Sequence, residues 1–267
     1  MTISGRCTIA LAFFGAAALM PVAGTNAQSK DVTTMADGVL KVCLYEDIPP
    51  VAELGTDGSW TGWDVDFLSG FADPIGLKFE PVPFDYFDGI WRQPGEGVCD
   101  ITGSGLTYTQ ERVEETPRAV WSDTYFTAER SFIVRAGEED SLTGVGDLAN
   151  KTVIMWPGSA GEVDLNRRIE KGGVSGVTVR YAEGPLSAIE MVRDGDAYAF
   201  GWDLTNTRFL VARYPGLAIA WAHPMMAADG SEKSETYSYV VLKADTGLIE
   251  ALNAYIAENR GTYGWLQ

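Results

Sequence analysis

Histidine occurs once, at His223, and that scarcity removes most of the chemistry a neutral imidazole supports. His-ligated metal centres and Ser–His–Asp triads have no second ring to draw on. Cations are also few. Twenty Lys and Arg stand against 37 Asp and Glu, a formal charge of -17, so there is no excess of basic residues to neutralise phosphates or anionic lipid. Nucleic acid is excluded as a partner on that ground. The acidity is ordinary solubility chemistry and points to no cationic ligand. Low-complexity segments and internal repeats are lacking, and a composition of 46% apolar and 21% charged residues rules out collagen, coiled coil and disorder. What is present is material for one large globular domain or two small ones.

Long apolar runs are confined to the beginning. Arg6 precedes an uncharged stretch from Cys7 to Gly24, and Thr25-Asn26-Ala27 then offers small residues of the kind a signal peptidase reads. Gly15, Pro21 and the polar Gln28-Ser29-Lys30 suit a removable leader better than a membrane anchor. Residues 1–27 are therefore expected to be a signal peptide cleaved after Ala27, leaving a periplasmic, soluble mature chain. Cys7 stands at the beginning of the apolar run and not at its end, so a lipid-modified N-terminal cysteine is not expected. Two cysteines remain, Cys43 and Cys99, each in a strand-like context. In an oxidising compartment the pair reads as a disulfide, provided their strands are neighbours; a catalytic thiol is the weaker alternative, with no histidine near either.

Beyond residue 38, short β-rich runs alternate with helical stretches, the pattern of an α/β fold with mainly parallel sheets. Strands are expected at 40–45, 78–82, 99–103, 131–135, 152–156, 177–181, 198–202 and 237–242. Helices are expected at 63–74, at 185–194 between Pro185 and Gly195, from Leu204 onward, and at 247–259. The polar turn Glu138-Glu139-Asp140-Ser141 permits a division into two lobes. In such a fold a ligand cleft lies between lobes or at strand C-terminal ends.

Several motifs recur here in one order: Pro49-Pro50, Gly62-Trp63-Asp64-Val65-Asp66, the run Asp100–Arg112, Trp121–Phe126, Asp147–Val153, Gly158-Ser159, Gly195–Asp203 and Gly261-Thr262-Tyr263. Each is weak alone; together and in order they resemble the solute-binding proteins of polar-amino-acid ABC transporters. The resemblance spans essentially the whole mature chain. It implies a type II periplasmic-binding fold of two α/β lobes closing over a ligand. Residues 28–128 and 233–267 would form lobe 1, and residues 129–232 would form lobe 2 with the hinge segments, near Thr127–Arg130 and Ala228–Glu235. It further implies an amino-acid-like ligand, an inner-membrane ABC permease as partner, a monomeric chain and no cofactor or metal.

The anchor positions make chemical sense. Arg112 can meet a carboxylate with two parallel N–H bonds, and Asp203 matches the acceptor for the ligand ammonium, a role compatible with capping the helix that follows it. Ser104, Gly105 and Thr107 lie in a turn where a hydroxyl or bare N–H can approach a carboxylate, and Ser159 offers the same from the second lobe. Two features depart from the family. Ala160 stands where a hydroxyl is common. Tyr45 stands where binders of cationic side chains often carry an acid, with Ile48 in place of a common aromatic. Phe87 falls at the position that packs over the ligand, with Trp91, Trp156 and Trp202 close to pocket motifs, so a neutral, apolar, aromatic or methylated-ammonium ligand is favoured. Glu46 or Asp47 would restore a cationic site if either turned inward.

A rival reading is an enzyme on the same scaffold. The chain also resembles periplasmic cyclohexadienyl dehydratase, which removes water and carbon dioxide from prephenate or arogenate, in its early Val-Cys pattern, in Pro157–Glu162 and in Glu232-Lys233. That chemistry needs a general acid, for which Glu162 and Glu232 are the candidates, and more than one cation for a dianionic substrate. Arg112 is the one strong cation the motifs place.

Overall fold

The computed structural model describes residues 32–244 and 246–261, together with Met1. The expected leader, apart from Met1, and the Thr262-Tyr263 end of the last motif lie outside the described residues. No helix among the described residues is long and apolar enough to cross a membrane.

Two five-stranded sheets organise the chain. The first runs, in spatial order, Lys78–Phe84, Val39–Tyr45, Ile101–Thr102, Val240–Leu242, Ala119–Trp121. Only Val240–Leu242 runs against its neighbours. The second is Thr178–Tyr181, Thr152–Met155, Ala199–Asp203, Arg130–Arg135, Leu217–His223, and there only Arg130–Arg135 runs against the rest. The mainly parallel expectation thus holds, with one reversed strand per sheet. Both reversed strands follow a crossover. The chain passes from Ala119–Trp121 through Phe126–Ala128 into Arg130–Arg135, and returns through Glu235–Tyr237 into Val240–Leu242. The two crossover strands pair antiparallel, Glu235 opposite Ala128 and Tyr237 opposite Phe126.

Burial explains the elements. Val39–Tyr45 and Ala199–Asp203 are almost wholly buried, so they read as continuous apolar runs. The Trp63–Ala72 helix buries Trp63, Phe67, Leu68 and Phe71 against the first sheet. It starts at Gly62, φ 125°, where a Cβ would lie 2.3 Å from the Val51 carbonyl, so only glycine fits. Pro185–Asp194 opens on Pro185 and closes at Gly195.

The Gln110–Glu115 helix and the Ala119–Trp121 strand were not among the expected elements, and three others were hidden in whole or in part, the Ala160–Gly172 helix beyond its strand-to-helix turn at Gly158-Ser159 being the first. The Ala160–Gly172 helix buries Asp164 and Arg168 beside Leu165, and charged residues on its inner face hide the apolar period. Leu217–His223, the edge strand of the second sheet, breaks register between Ala220 and His223, which interrupts its alternation. The expected 237–242 strand is two strands, one in the hinge and one in the sheet.

Cys43 and Cys99 form a disulfide with a Cα–Cα distance of 5.8 Å. It ties Val39–Tyr45 to the residues just ahead of its neighbour Ile101–Thr102.

Candidate functional site

The Asp100–Arg112 run leaves the first sheet at Ile101–Thr102, turns, and enters the short Gln110–Glu115 helix, whose N-cap Thr109 accepts from the Arg112 N–H at 3.2 Å. That cap fixes Arg112 at the seam between the lobes. Its side chain is buried, donates to the Thr107 carbonyl and, across the seam, to the Gly158 carbonyl, both at 3.1 Å. The guanidinium lies 4.1 Å from the Trp91 ring centroid and 5.7 Å from that of Phe87. Among the described residues no carboxylate lies within ion-pair distance of it. Burial pulls its pKa down to about 10, so it remains a cation at neutral pH.

Aromatic side chains from both lobes build the adjoining wall. Tyr45 meets Phe87 edge-on at 6.0 Å and accepts from Trp156, which stacks on Trp202 at 5.3 Å. All four are at least partly buried. Ile48 is buried nearby in sequence, and Asp47 is turned toward the second lobe, its Oδ2 2.7 Å from where a Gly184 Cβ would stand. Burial, then Glu53 and Glu46, raise the Asp47 carboxyl to about 6. A cavity of about 240 Å³ opens beside Arg112 and Trp91, with Gly158, Ala160 and Met225 on the opposite side. The lobes also meet where Asn206 donates to the Pro49 carbonyl at 2.8 Å and where Arg167 pairs with Glu111 at 2.9 Å.

The other candidate residues are placed as follows. The N–H groups of Ser104 and Gly105 bond the buried Asp64 carboxylate at 2.5 and 3.0 Å, and the Ser104 hydroxyl accepts from the Tyr45 N–H at 2.8 Å. These donors are therefore spent within lobe 1. Tyr239 completes the Asp64 site at 2.6 Å, and burial still lifts that carboxyl to about 6. Ser159 caps the Ala160–Gly172 helix, accepting from the Glu162 N–H at 3.0 Å. Asp203 occupies the N-cap position of Leu204–Arg213 but makes no side-chain cap bond. Its Oδ1 accepts from Arg130 and its Oδ2 from the Tyr237 hydroxyl. Arg130 also donates to Glu235, which accepts from the Thr107 hydroxyl as well.

Sequence reasoning missed Arg130, Glu235 and Tyr237. Arg130 and Glu235 fall within segments expected only as hinges, and no motif marked them. The one signal was their position: the two crossovers must meet, so polar residues on both converge. Arg130 supplies the second buried cation that the motifs did not place.

Residues 40–265 match the model of the bacterial extracellular solute-binding proteins, family 3. The chain is 24% identical over 220 residues to the cyclohexadienyl dehydratase of Pseudomonas aeruginosa, covering 81% of this chain and 78% of that protein. It is 26% identical over 222 residues to the L-cystine-binding protein TcyJ of Escherichia coli, covering 83% and 77%. Among solved structures, the arginine-bound form of a truncated ArgBP from T. maritima superposes with a TM-score of 0.69 at 29% identity, covering 83% of this chain and 96% of that one.

Proposed function

Because the chain belongs to the bacterial extracellular solute-binding proteins of family 3, and so is a solute-binding protein, we propose that its lobes close on an amino acid whose α-carboxylate is held by Arg112. The observation that carries this reading is a guanidinium buried at the seam and, among the described residues, bonded only to carbonyls. A buried cation without an anion is costly, and a ligand carboxylate relieves that cost by taking two parallel N–H bonds. Tyr45, Phe87, Trp91, Trp156 and Trp202 then supply an apolar and π-rich wall for a neutral side chain. Contacts from both lobes make closure the mechanism of capture, and a membrane permease is the recipient of the cargo.

A lyase reading draws on the likeness to cyclohexadienyl dehydratase and on the second cation, Arg130. It needs a proton donor beside the substrate. Glu162 is occupied by the Gly158 N–H and the Tyr181 hydroxyl, and the exposed Glu232 pairs with Arg168 at 2.8 Å. Neither is poised as the general acid, and the binding reading is preferred. Thermal-shift screening against the twenty amino acids, with prephenate as a further arm, tests both. We expect stabilisation by at least one neutral amino acid, about 4 kcal/mol at a thousandfold excess over Kd, and no phenylpyruvate absorbance from prephenate.

A further inference from the structure

Four charged side chains are buried at the meeting of the two crossovers: Arg112, Arg130, Asp203 and Glu235. Their pairing is uneven. Asp203 is saturated, one oxygen on Arg130 and the other on Tyr237. Glu235 has one oxygen on Arg130 and Thr107, while its Oε2 is buried with no hydrogen-bond partner among the described residues. One guanidinium thus faces two carboxylates, leaving one negative charge uncompensated. Arg112 is the matching uncompensated positive charge.

Thr107 joins the two. Its carbonyl accepts from Arg112 and its hydroxyl donates to Glu235, so one residue carries the unpaired cation and the unpaired anion on its two polar groups. An α-amino acid carries its carboxylate and ammonium on one carbon, so it brings both opposite charges to one place. We infer that Glu235, through its free oxygen, is the acceptor for the ligand ammonium, while Asp203 serves to hold Arg130 in place. The inference rests on the proposal that Arg112 takes the α-carboxylate. The physical drive is the removal of two buried, unpaired charges by one zwitterion.

Proton balance supports the same assignment. Burial lifts the Glu235 carboxyl to about 7, Arg130 opposing and Asp203 adding to the rise. Arg130 itself is held firmly charged: burial works against it, but Asp203 and Glu235 outweigh that and raise its pKa. The Tyr237 hydroxyl, raised well above its ordinary range by burial and then by Asp203, does not compete for the proton. An ammonium against Glu235 favours its carboxylate, so amino-acid binding near pH 7 expels a proton from the protein.

The test is calorimetry at pH 7 in phosphate and in Tris, with L-leucine, L-phenylalanine and L-tryptophan and their des-amino counterparts 4-methylpentanoate, 3-phenylpropanoate and 3-indolepropanoate. Wild-type protein should release up to about half a proton on binding the amino acid, whereas the des-amino acid, whose carboxylate masks one of the cations that favour the Glu235 carboxylate, should release none and instead take up a fraction of a proton. Glu235→Gln keeps the side-chain shape and should weaken the amino acid by about thirtyfold or more, leave the des-amino acid within about threefold, and abolish proton release. Equal weakening of both ligands, or wild-type binding without proton release, overturns the assignment while leaving the Arg112 reading intact. Loss of the amino-acid preference in Asp203→Asn with its retention in Glu235→Gln would return the role to Asp203. If no member of either set binds, the carboxylate-anchor reading falls and the inference falls with it. The wild-type proton count needs no variant, so a misfolded mutant does not leave the question open.

Discussion

Arg112 sits over the Trp91 ring, guanidinium carbon 4.1 Å from the ring centroid, while its N–H groups point along the seam at carbonyls of both lobes. The ring contact and the two carbonyl bonds hold the group in place, so it is pre-set for an incoming carboxylate. Arg112→Lys keeps the charge but loses the fork. We expect it to weaken the best neutral amino acid by about thirtyfold or more, and Arg112→Ala by at least as much, with unchanged far-UV circular dichroism. Calorimetry decides; a loss under about tenfold for the alanine variant would remove Arg112 as the anchor.

Closure has its own steric condition at Gly158. Its φ is +69°, and a Cβ there would stand 2.5 to 2.9 Å from the Asp88 side chain of the opposite lobe. Gly158→Ala should therefore hold the lobes apart, weaken ligand by about tenfold or more, and leave each lobe folded. Small-angle scattering with saturating ligand should show a larger radius of gyration than wild type. An unchanged radius would mean that Asp88 moves aside at little cost.

Much of the fold was legible because its central strands are buried and a helix such as Pro185–Asp194 carries Pro and Gly at its ends. The chemistry of the site was legible only where a motif surrounds it. Arg112 sits in the Asp100–Arg112 run, but Arg130 and Glu235 lie 105 residues apart and meet through the antiparallel pairing of the crossovers. Nothing local in sequence encodes that contact. Asp64 misled differently: it lies in a motif quoted for its family, yet nothing in the sequence revealed that its carboxylate takes the N–H groups of Ser104 and Gly105.

The disulfide closes a long loop, 56 residues in sequence separation, and lies wholly buried beside the first sheet. A loop of that size corresponds to about 4 kcal/mol in the chain-entropy account. Cys43→Ala with Cys99→Ala should lower stability by about 2–4 kcal/mol in urea, with ligand affinity within about threefold of wild type, since neither sulfur touches the cleft. Thiol titration of the denatured, unreduced mature protein should find none, and two thiols per chain would refute the bridge.

Side-chain selectivity follows from the aromatic wall. Tyr45 carries no negative charge at neutral pH, its hydroxyl being held protonated by burial, and Asp47 is directed at Gly184 on the other lobe, so neither places a carboxylate against a ligand side chain in the aromatic wall. Competition binding should rank leucine, phenylalanine or tryptophan at least about tenfold above arginine and glutamate. Submicromolar arginine binding with no neutral ligand would require Asp47 or Glu46 to turn into the cleft and would overturn this ranking.

Four carboxyl groups are raised by burial: Asp64 and Asp47 to about 6, Glu235 to about 7, and Asp100 above its ordinary value. Each folded-state pKa exceeds its unfolded value, so between about pH 4 and 7 the native chain binds more protons than the unfolded chain. Stability then falls as pH rises through that window, and it is flat, at the lower level, above it. The overall charge of -17 acts in the same direction, since acid reduces self-repulsion. Ligand-free protein should therefore show a higher melting temperature at pH 5 than at pH 8. With the amino acid bound, Glu235 is held as carboxylate, so the contribution from the upper part of the window, pH 6 to 8, should shrink while that of Asp64 persists. Differential scanning calorimetry from pH 4.5 to 8, with and without ligand, reads both effects. A melting temperature that drops on acidification from pH 8 to 5 would mean that Asp64 and Glu235 stay ionised in the native state, and the charge balance drawn for the cleft would be wrong.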